Sequence, residues 1–276
     1  MKVAFWSNSY KKCNVTNNMA AISVASALIL PYRIMLLENY LSPNNIGQIF
    51  SNNISNEIKE SSNYYNDNSC IESIVQKSYD LNYNYENVSC IKEIIVNKLY
   101  YLPQGNIINN DLFDYEFNRN IDCLINYANN FADIKFIDTS PESSLSTNTI
   151  LEESDLIIVN ICPEVDELID FFINYASLIS KSIFIINVTD VTKCKNIFKI
   201  FQKYGVLENK VVFIPFNEML MYSNYNGSLI EFILFNLNNC NNSKDILFFK
   251  SLKKVVNLIF KSLEQSELSA ELGEAI

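Results

Sequence analysis

The chain contains no histidine. That removes Ser-His and Cys-His nucleophilic catalysis, histidine general bases and histidine metal ligands from the chemistry open to it. Positive charge is also in short supply. Lysine and arginine total 21 against 31 acidic residues, a net charge of -10. A general nucleic-acid binder needs a basic face, and binding to anionic membrane needs the same sign, so both are disfavoured. The seven cysteines include no C-x-x-C pair. An odd, dispersed set predicts reduced, buried thiols rather than a disulfide framework or a zinc site. Long apolar runs are missing too. Met19 to Leu30, preceded by Lys11 and Lys12, resembles a signal-peptide core but is too short for a bilayer, which takes about 20 residues. Its small residues Ala20, Ala21, Ser23, Ala25 and Ala27 suit a helix packed closely on a sheet. A soluble, cytoplasmic protein is the expectation.

What is present is enough apolar material for a large core, 49% of the residues, arranged as alternating strands and helices. Apolar runs at Lys2–Ser7, Arg33–Leu37, Leu99–Leu102, Ile134–Ile137, Leu156–Ile161, Ser182–Val188 and Lys210–Pro215 read as buried strands. Helical spacing covers roughly 16–30, 114–131, 164–178, 195–203, 229–236 and 244–263. Residues 71–79 and 91–96 read as modest amphipathic segments, and 44–68 as polar loops with short helices. Such alternation predicts an α/β fold: a single domain with a mostly parallel sheet and helices on both faces. The boundaries expected are 1–264 for the domain and 265–276 for an acidic tail. The Tyr/Asn-rich stretch 64–85 reads as variable loop or as a partner surface. The last helix has an apolar face (Phe248, Phe249, Leu252, Val255, Val256, Ile259, Leu263) beside several lysines. It reads as packed on the sheet, with a membrane-surface helix as the alternative.

Ligands of such sheets bind at the carboxyl ends of the strands. The first strand leads through Asn8-Ser9-Tyr10-Lys11-Lys12-Cys13-Asn14-Val15-Thr16 into the first helix, the order of a phosphate-binding P-loop. This loop has no glycine to supply positive φ and no Lys-[Ser/Thr] pair. The second strand is followed by Glu38, and the run Phe136-Ile137 ends in Asp138, where a Walker B aspartate would help hold Mg²⁺.

With these residues in place the chain resembles the deviant-Walker ATPases of the MinD/ParA group over about residues 2 to 260. Phe136-Ile137-Asp138 matches the Walker B segment, Asn187 the adenine-recognising Asn, and Ile214-Pro215-Phe216-Asn217 the loop that closes over the base. Glu38 and Tyr40 fall on an Asp-x-Asp pair. In the loop the signature lysine falls on Ser9, the Walker lysine on Asn14 and the Mg²⁺-binding Thr on Val15; only Thr16 is kept. The resemblance implies ATP and Mg²⁺ as cofactors, with Asp138 and Glu38 on the catalytic side and Thr16 and Asp138 toward the metal. Lys11, Lys12, Asn14, Thr16, Asn187, Pro215 and Asn217 are the expected nucleotide contacts. The stripped loop points to a degenerate member with weak or absent hydrolysis, similar to the TadZ/CpaE branch that localises pilus or secretion machinery. The expected partners are proteins, a second copy included, on a membrane-associated complex. The alternative is an active ATP-dependent switch in spatial positioning or DNA partition.

Overall fold

The computed structural model describes residues 1–9, 13–40, 45–51, 71, 74, 91–104, 109–189, 194–238 and 243–273. Lys11, Lys12 and most of the stretch 64–85 lie outside the described residues. Eight strands form one sheet: β1 (Lys2–Trp6), β2 (Ile34–Glu38), β3 (Lys92–Ile95), β4 (Leu99–Tyr101), β5 (Ile134–Asp138), β6 (Leu156–Ile161), β7 (Ser182–Val188) and β8 (Val211–Pro215). Their spatial order is β3-β4-β2-β5-β1-β6-β7-β8. Every neighbouring pair is parallel except β3 with β4. The central strands carry apolar runs rather than alternation because both of their faces are covered.

One face is covered by α1 (Val15–Ile29), α9 (Leu229–Asn236) and α10 (Ser243–Gly273), packed over Val3, Phe5, Leu36 and Phe136. Between these on the chain run the short α2 (Ile46–Ile49), α3 (Asn110–Arg119), α4 (Ile121–Asn129), α5 (Leu145–Glu153), α6 (Val165–Asn174), α7 (Cys194–Lys203) and α8 (Glu218–Tyr225). Helices α3, α4, α6 and α7 cover the opposite face, over Trp6, Leu37, Ile137 and Phe184. Residues 18 to 27 of α1 are all buried, which its Ala/Ser content permits by letting sheet and neighbouring helices approach on every side.

Three local readings change. The segment 91–96, read only as amphipathic, forms β3 and turns back onto β4 through Asn97, whose φ of 56° is the left-handed region that Asn tolerates. The helix expected over 114–131 is two helices. Asn120 ends α3 and starts α4 while its side chain donates to the Glu116 carbonyl (2.9 Å), the competition with the backbone that makes Asn a helix breaker. Helix α5 was not read from the sequence, yet it carries its own start signal. Ser144 accepts from the Thr147 amide, and the Asp114 carboxylate accepts from the Leu145 and Ser146 amides (3.1 Å each).

The last helix continues past Leu263 to Gly273. Its apolar face is buried against α1 and β8, so that face belongs to the core. On the outer side of β8, Ser251 donates to the Phe213 carbonyl (2.8 Å) and Lys254 to that of Val211 (3.0 Å). Among the described residues no helix is long and apolar enough to cross a membrane.

Candidate nucleotide site

The first turn of α1 lies at the carboxyl end of the sheet, between the ends of β5 and β6. Asp138, the last residue of β5, has no exposed surface. Its Oδ2 accepts from the Thr16 hydroxyl (2.7 Å) and the Tyr40 hydroxyl (3.1 Å), and those two oxygens are themselves 3.1 Å apart. Its Oδ1 is buried and has no hydrogen-bond partner among the described residues. Burial outweighs the two hydroxyl donors and pushes the carboxyl up to about 7. The resemblance set Thr16 and Asp138 toward one metal, and the fold places their side chains in contact.

Glu38 stands directly beside Asp138, because β2 and β5 pair in the register Glu38↔Asp138. It too is fully buried. One oxygen accepts from the Ile46 amide (2.8 Å) and the other from the Tyr101 hydroxyl (2.8 Å). Burial, then repulsion from Asp138, raises it to about 8. Because both Glu38 oxygens hold neighbouring segments, its geometry is that of a buried anchor for α2.

On the other side of α1 lies an amide network. Asn18 donates to Asn160 Oδ1 (2.7 Å) and Asn187 Oδ1 (3.3 Å), and Asn187 Nδ2 donates to the Cys13 carbonyl (3.3 Å). Asn187, the expected adenine reader, therefore uses both ends of its amide within the chain. Asn14 takes the left-handed conformation just before the helix (φ 56°) and caps nothing with its side chain. A position where the P-loop pattern has a lysine thus works as a backbone hinge, and Asn supplies the positive φ that the missing glycines would have given.

Pro215 ends β8 next to Val188, on the same rim as Asn187. Asn217, two residues on, spends its side chain on a helix start. It accepts from the Leu220 amide (2.9 Å) to start α8 and donates to Asp245 (2.7 Å).

The expectation of reduced cysteines is corrected for Cys13 and Cys162. Cys13 and Cys162 are joined by a disulfide across 149 residues of sequence, with Cα atoms 5.6 Å apart. Sequence spacing could not reveal this, because pairing of β1 with β6 is what brings the two strand ends together. Tyr40, which the resemblance sets on the second acid of an Asp-x-Asp pair without giving it a role, is a further participant. It stands where the pattern has an acid, and it brings a hydroxyl to Asp138 instead. A cleft of about 90 Å³ opens beside Tyr40, lined by Asn39, Phe113, Asp114, Ser140 and Glu142. Among the described residues no group of three or more Cys, Asp or Glu is placed to hold a metal ion.

No protein-family model matches the chain, and no curated protein is significantly similar to it in sequence. Solved structures are similar in fold. A ParA family ATPase from Chlorobium tepidum superposes with a TM-score of 0.66 at 14% identity, covering 92% of this chain and 98% of that one. MinD from Pyrococcus horikoshii, complexed with Mg-ADP, gives 0.64 at 13% identity over 95% and 99%. A chain of the MinC:MinD cell division protein complex of Aquifex aeolicus gives 0.61 at 13% over 93% and 96%. Identities this low speak for the backbone arrangement alone. The chain has the single-domain α/β fold of the MinD/ParA P-loop NTPases.

Proposed function

We propose that this protein is a localisation or assembly scaffold built on a MinD/ParA-like fold, working through protein contacts and hydrolysing ATP weakly or not at all. The observation that carries the reading is the state of the phosphate side. The loop into α1 has no glycine, and its Cys13 end is tied to the end of β6. The acidic residue behind it is fully buried, with one oxygen taken by Thr16 and Tyr40. Transition-state stabilisation in phosphoryl transfer rests on positioned backbone amides, a lysine and a metal, and losing one such partner costs orders of magnitude in rate. The MinC:MinD complex gives a precedent for a protein of this fold acting in contact with another protein. A homodimer recruited to pilus, secretion or other membrane-associated machinery, in the manner of the TadZ/CpaE branch, is the assembly this reading expects.

The cofactors fit unequally. Asp138 Oδ1, buried and without a partner among the described residues, and the Thr16 hydroxyl are oxygen donors of the kind Mg²⁺ takes. The phosphates fit poorly, since Cys13 and Asn14 place side chains where close backbone approach is required. The Thr16–Asp138 contact is what favours the second reading, an ATP-dependent switch of the MinD/ParA type. Calorimetry with ATP and Mg²⁺, followed by a phosphate-release assay, separates the two. The expected result is release indistinguishable from a protein-free control, unchanged in Asp138→Ala. Turnover by the native chain that disappears in that variant would overturn the scaffold reading.

A further inference from the structure

We propose that Tyr40 is a built-in stopper of the metal corner of this site, a role that rests on reading the rim beside α1 as a nucleotide site. Its hydroxyl takes the place on Asp138 that a divalent cation would need, so the corner is closed without an ion. Thr16 Oγ1 lies 2.7 Å from Asp138 Oδ2, and the Tyr40 hydroxyl lies 3.1 Å from each of them. Adjacent oxygens around an octahedral ion bound at ~2.1 Å would be about 3 Å apart. Hydrogen-bonded oxygens share that spacing, so the phenol fits the corner without distorting it. Each hydroxyl carries one proton, and together they fill the lone pairs of Oδ2. A cation shared by Thr16 and Asp138 has to displace the phenol first.

The backbone that delivers Tyr40 is firmly held. Its carbonyl accepts from Gln104 Nε2 (2.7 Å), which also donates to the Glu38 carbonyl (3.0 Å). The residue before it is pinned on three sides. The Asn39 backbone amide donates to the Asp138 carbonyl (3.1 Å), Asn39 Nδ2 donates to Ser146 and Thr147, and Asn39 Oδ1 accepts from the Ser140 amide (2.8 Å). The turn after β2 thus presents the phenol to Asp138 from a fixed base.

Charge points the same way. Affinity for a hard cation follows the number of charged oxygens around it. Tyr40 brings a neutral oxygen, and both oxygens of Glu38 are spent on Ile46 and Tyr101. Of the two buried acids, only Asp138 keeps an oxygen, Oδ1, with no partner among the described residues. One carboxylate oxygen against a phenol that is already in place is a weak offer to an ion that has to shed water to enter.

Bound Mn²⁺, standing in for Mg²⁺, is counted from the electron paramagnetic resonance signal of the free ion. The full-length chain is titrated at pH 8 without nucleotide, beside Tyr40→Phe, Tyr40→Asp and Asp138→Asn. Loose binding to the acidic surface is common to all of them, and Asp138→Asn measures it. The native chain is expected to bind no more than Asp138→Asn does. Tyr40→Phe keeps the ring and removes the hydroxyl, and it should gain one site about tenfold tighter than that background. Tyr40→Asp adds a second carboxylate and should bind about tenfold tighter again. Combining either variant with Asp138→Asn should abolish the gain. A native chain that binds one Mn²⁺ through Asp138 would overturn the stopper. So would Tyr40→Phe binding no better than native, an outcome that stays decisive if the charged variant does not fold. Phosphate release is followed in parallel. An ion on native Asp138 with no release sinks the stopper and leaves the scaffold reading standing. Release by a native chain that takes no ion sinks the scaffold reading and leaves the stopper.

Discussion

Raising the pH from 5 to 8 is expected to cost the folded protein roughly 3–5 kcal/mol of stability, and Glu38→Gln is expected to remove the part that comes from Glu38 while leaving that of Asp138. Glu38 is buried beside Asp138 and keeps its proton in the fold up to about pH 8, whereas the unfolded chain releases it near 4.5. Between those values the native state binds more protons than the unfolded state, so stability falls as pH rises and levels off above about 8. Asp138 acts in the same direction between 3.8 and about 7. The interval for Glu38 alone corresponds to roughly 5 kcal/mol at ~1.4 kcal/mol per tenfold. The two carboxyls share one mutual repulsion, so their contributions do not add.

In Glu38→Gln the amide oxygen accepts from Ile46 and the amide nitrogen donates to the Tyr101 hydroxyl, which can accept as well as donate. The variant is therefore expected to match the native chain at pH 5 to within about 1 kcal/mol and to be clearly more stable at pH 8. Urea unfolding at pH 5, 6, 7 and 8, with EDTA present to hold divalent cations away from Asp138, follows the divergence. A native chain equally stable at pH 5 and 8, or a variant no more stable than it at pH 8, would sink this account of the buried pair.

Phe184→Ala is expected to destabilise by about 3–5 kcal/mol. Phe184 on β7 has no exposed surface. Its ring stands edge-on to Phe171 at 5.3 Å and Phe201 at 5.0 Å, with Phe172 at 6.3 Å. Phe171 and Phe172 come from α6 and Phe201 from α7, so this one side chain joins two helices to the sheet. Truncation removes its transfer free energy and its edge-to-face contacts, and it leaves a cavity that three rings on two helices and one strand can close only partly. For a chain of this size the loss corresponds to a fall in Tm of about 10 °C. Phe235→Ala is the internal comparison. That ring is 73% exposed on α9 and should change stability by less than about 0.5 kcal/mol. Thermal and urea melts of the pair decide the matter, and similar melting temperatures would refute the assignment of this cluster as the core of its face.

These two cases mark what was legible in the amino-acid order. The strands around Phe184, Phe136 and Ile158 announce themselves because a strand buried on both faces must be apolar throughout, and such runs stand out. Asp138 and Glu38 were legible as strand-end acids. Their being paired was not, since it depends on β2 and β5 becoming neighbours although about a hundred residues separate them. The same holds for Cys13 with Cys162 and for Asn18 with Asn160. Residues that meet only because strands cross over leave no periodic trace. Helices α5 and α8 were missed for another reason. Few of their apolar side chains are buried, Ile150 and Leu151 on α5 and Leu220 on α8, and their beginnings rest on single capping side chains, Ser144 and Asn217.

The covering of β8 by α10 has a consequence for how the molecule behaves in company. An outermost parallel strand offers unpaired carbonyl and amide groups to any other chain, and this is the usual starting point of edge-to-edge aggregation. Here Ser251 and Lys254 occupy the carbonyls of Phe213 and Val211, so the last helix closes that edge with hydrogen bonds as well as with apolar bulk. At the opposite margin β3 is four residues long and begins Lys92-Glu93, short and charged as protected margins tend to be. Pulling α10 away, whether by truncation or by use as a lipid tether, would expose a sticky strand together with the core beneath it. The helix is therefore a seal that keeps each copy from polymerising with the next.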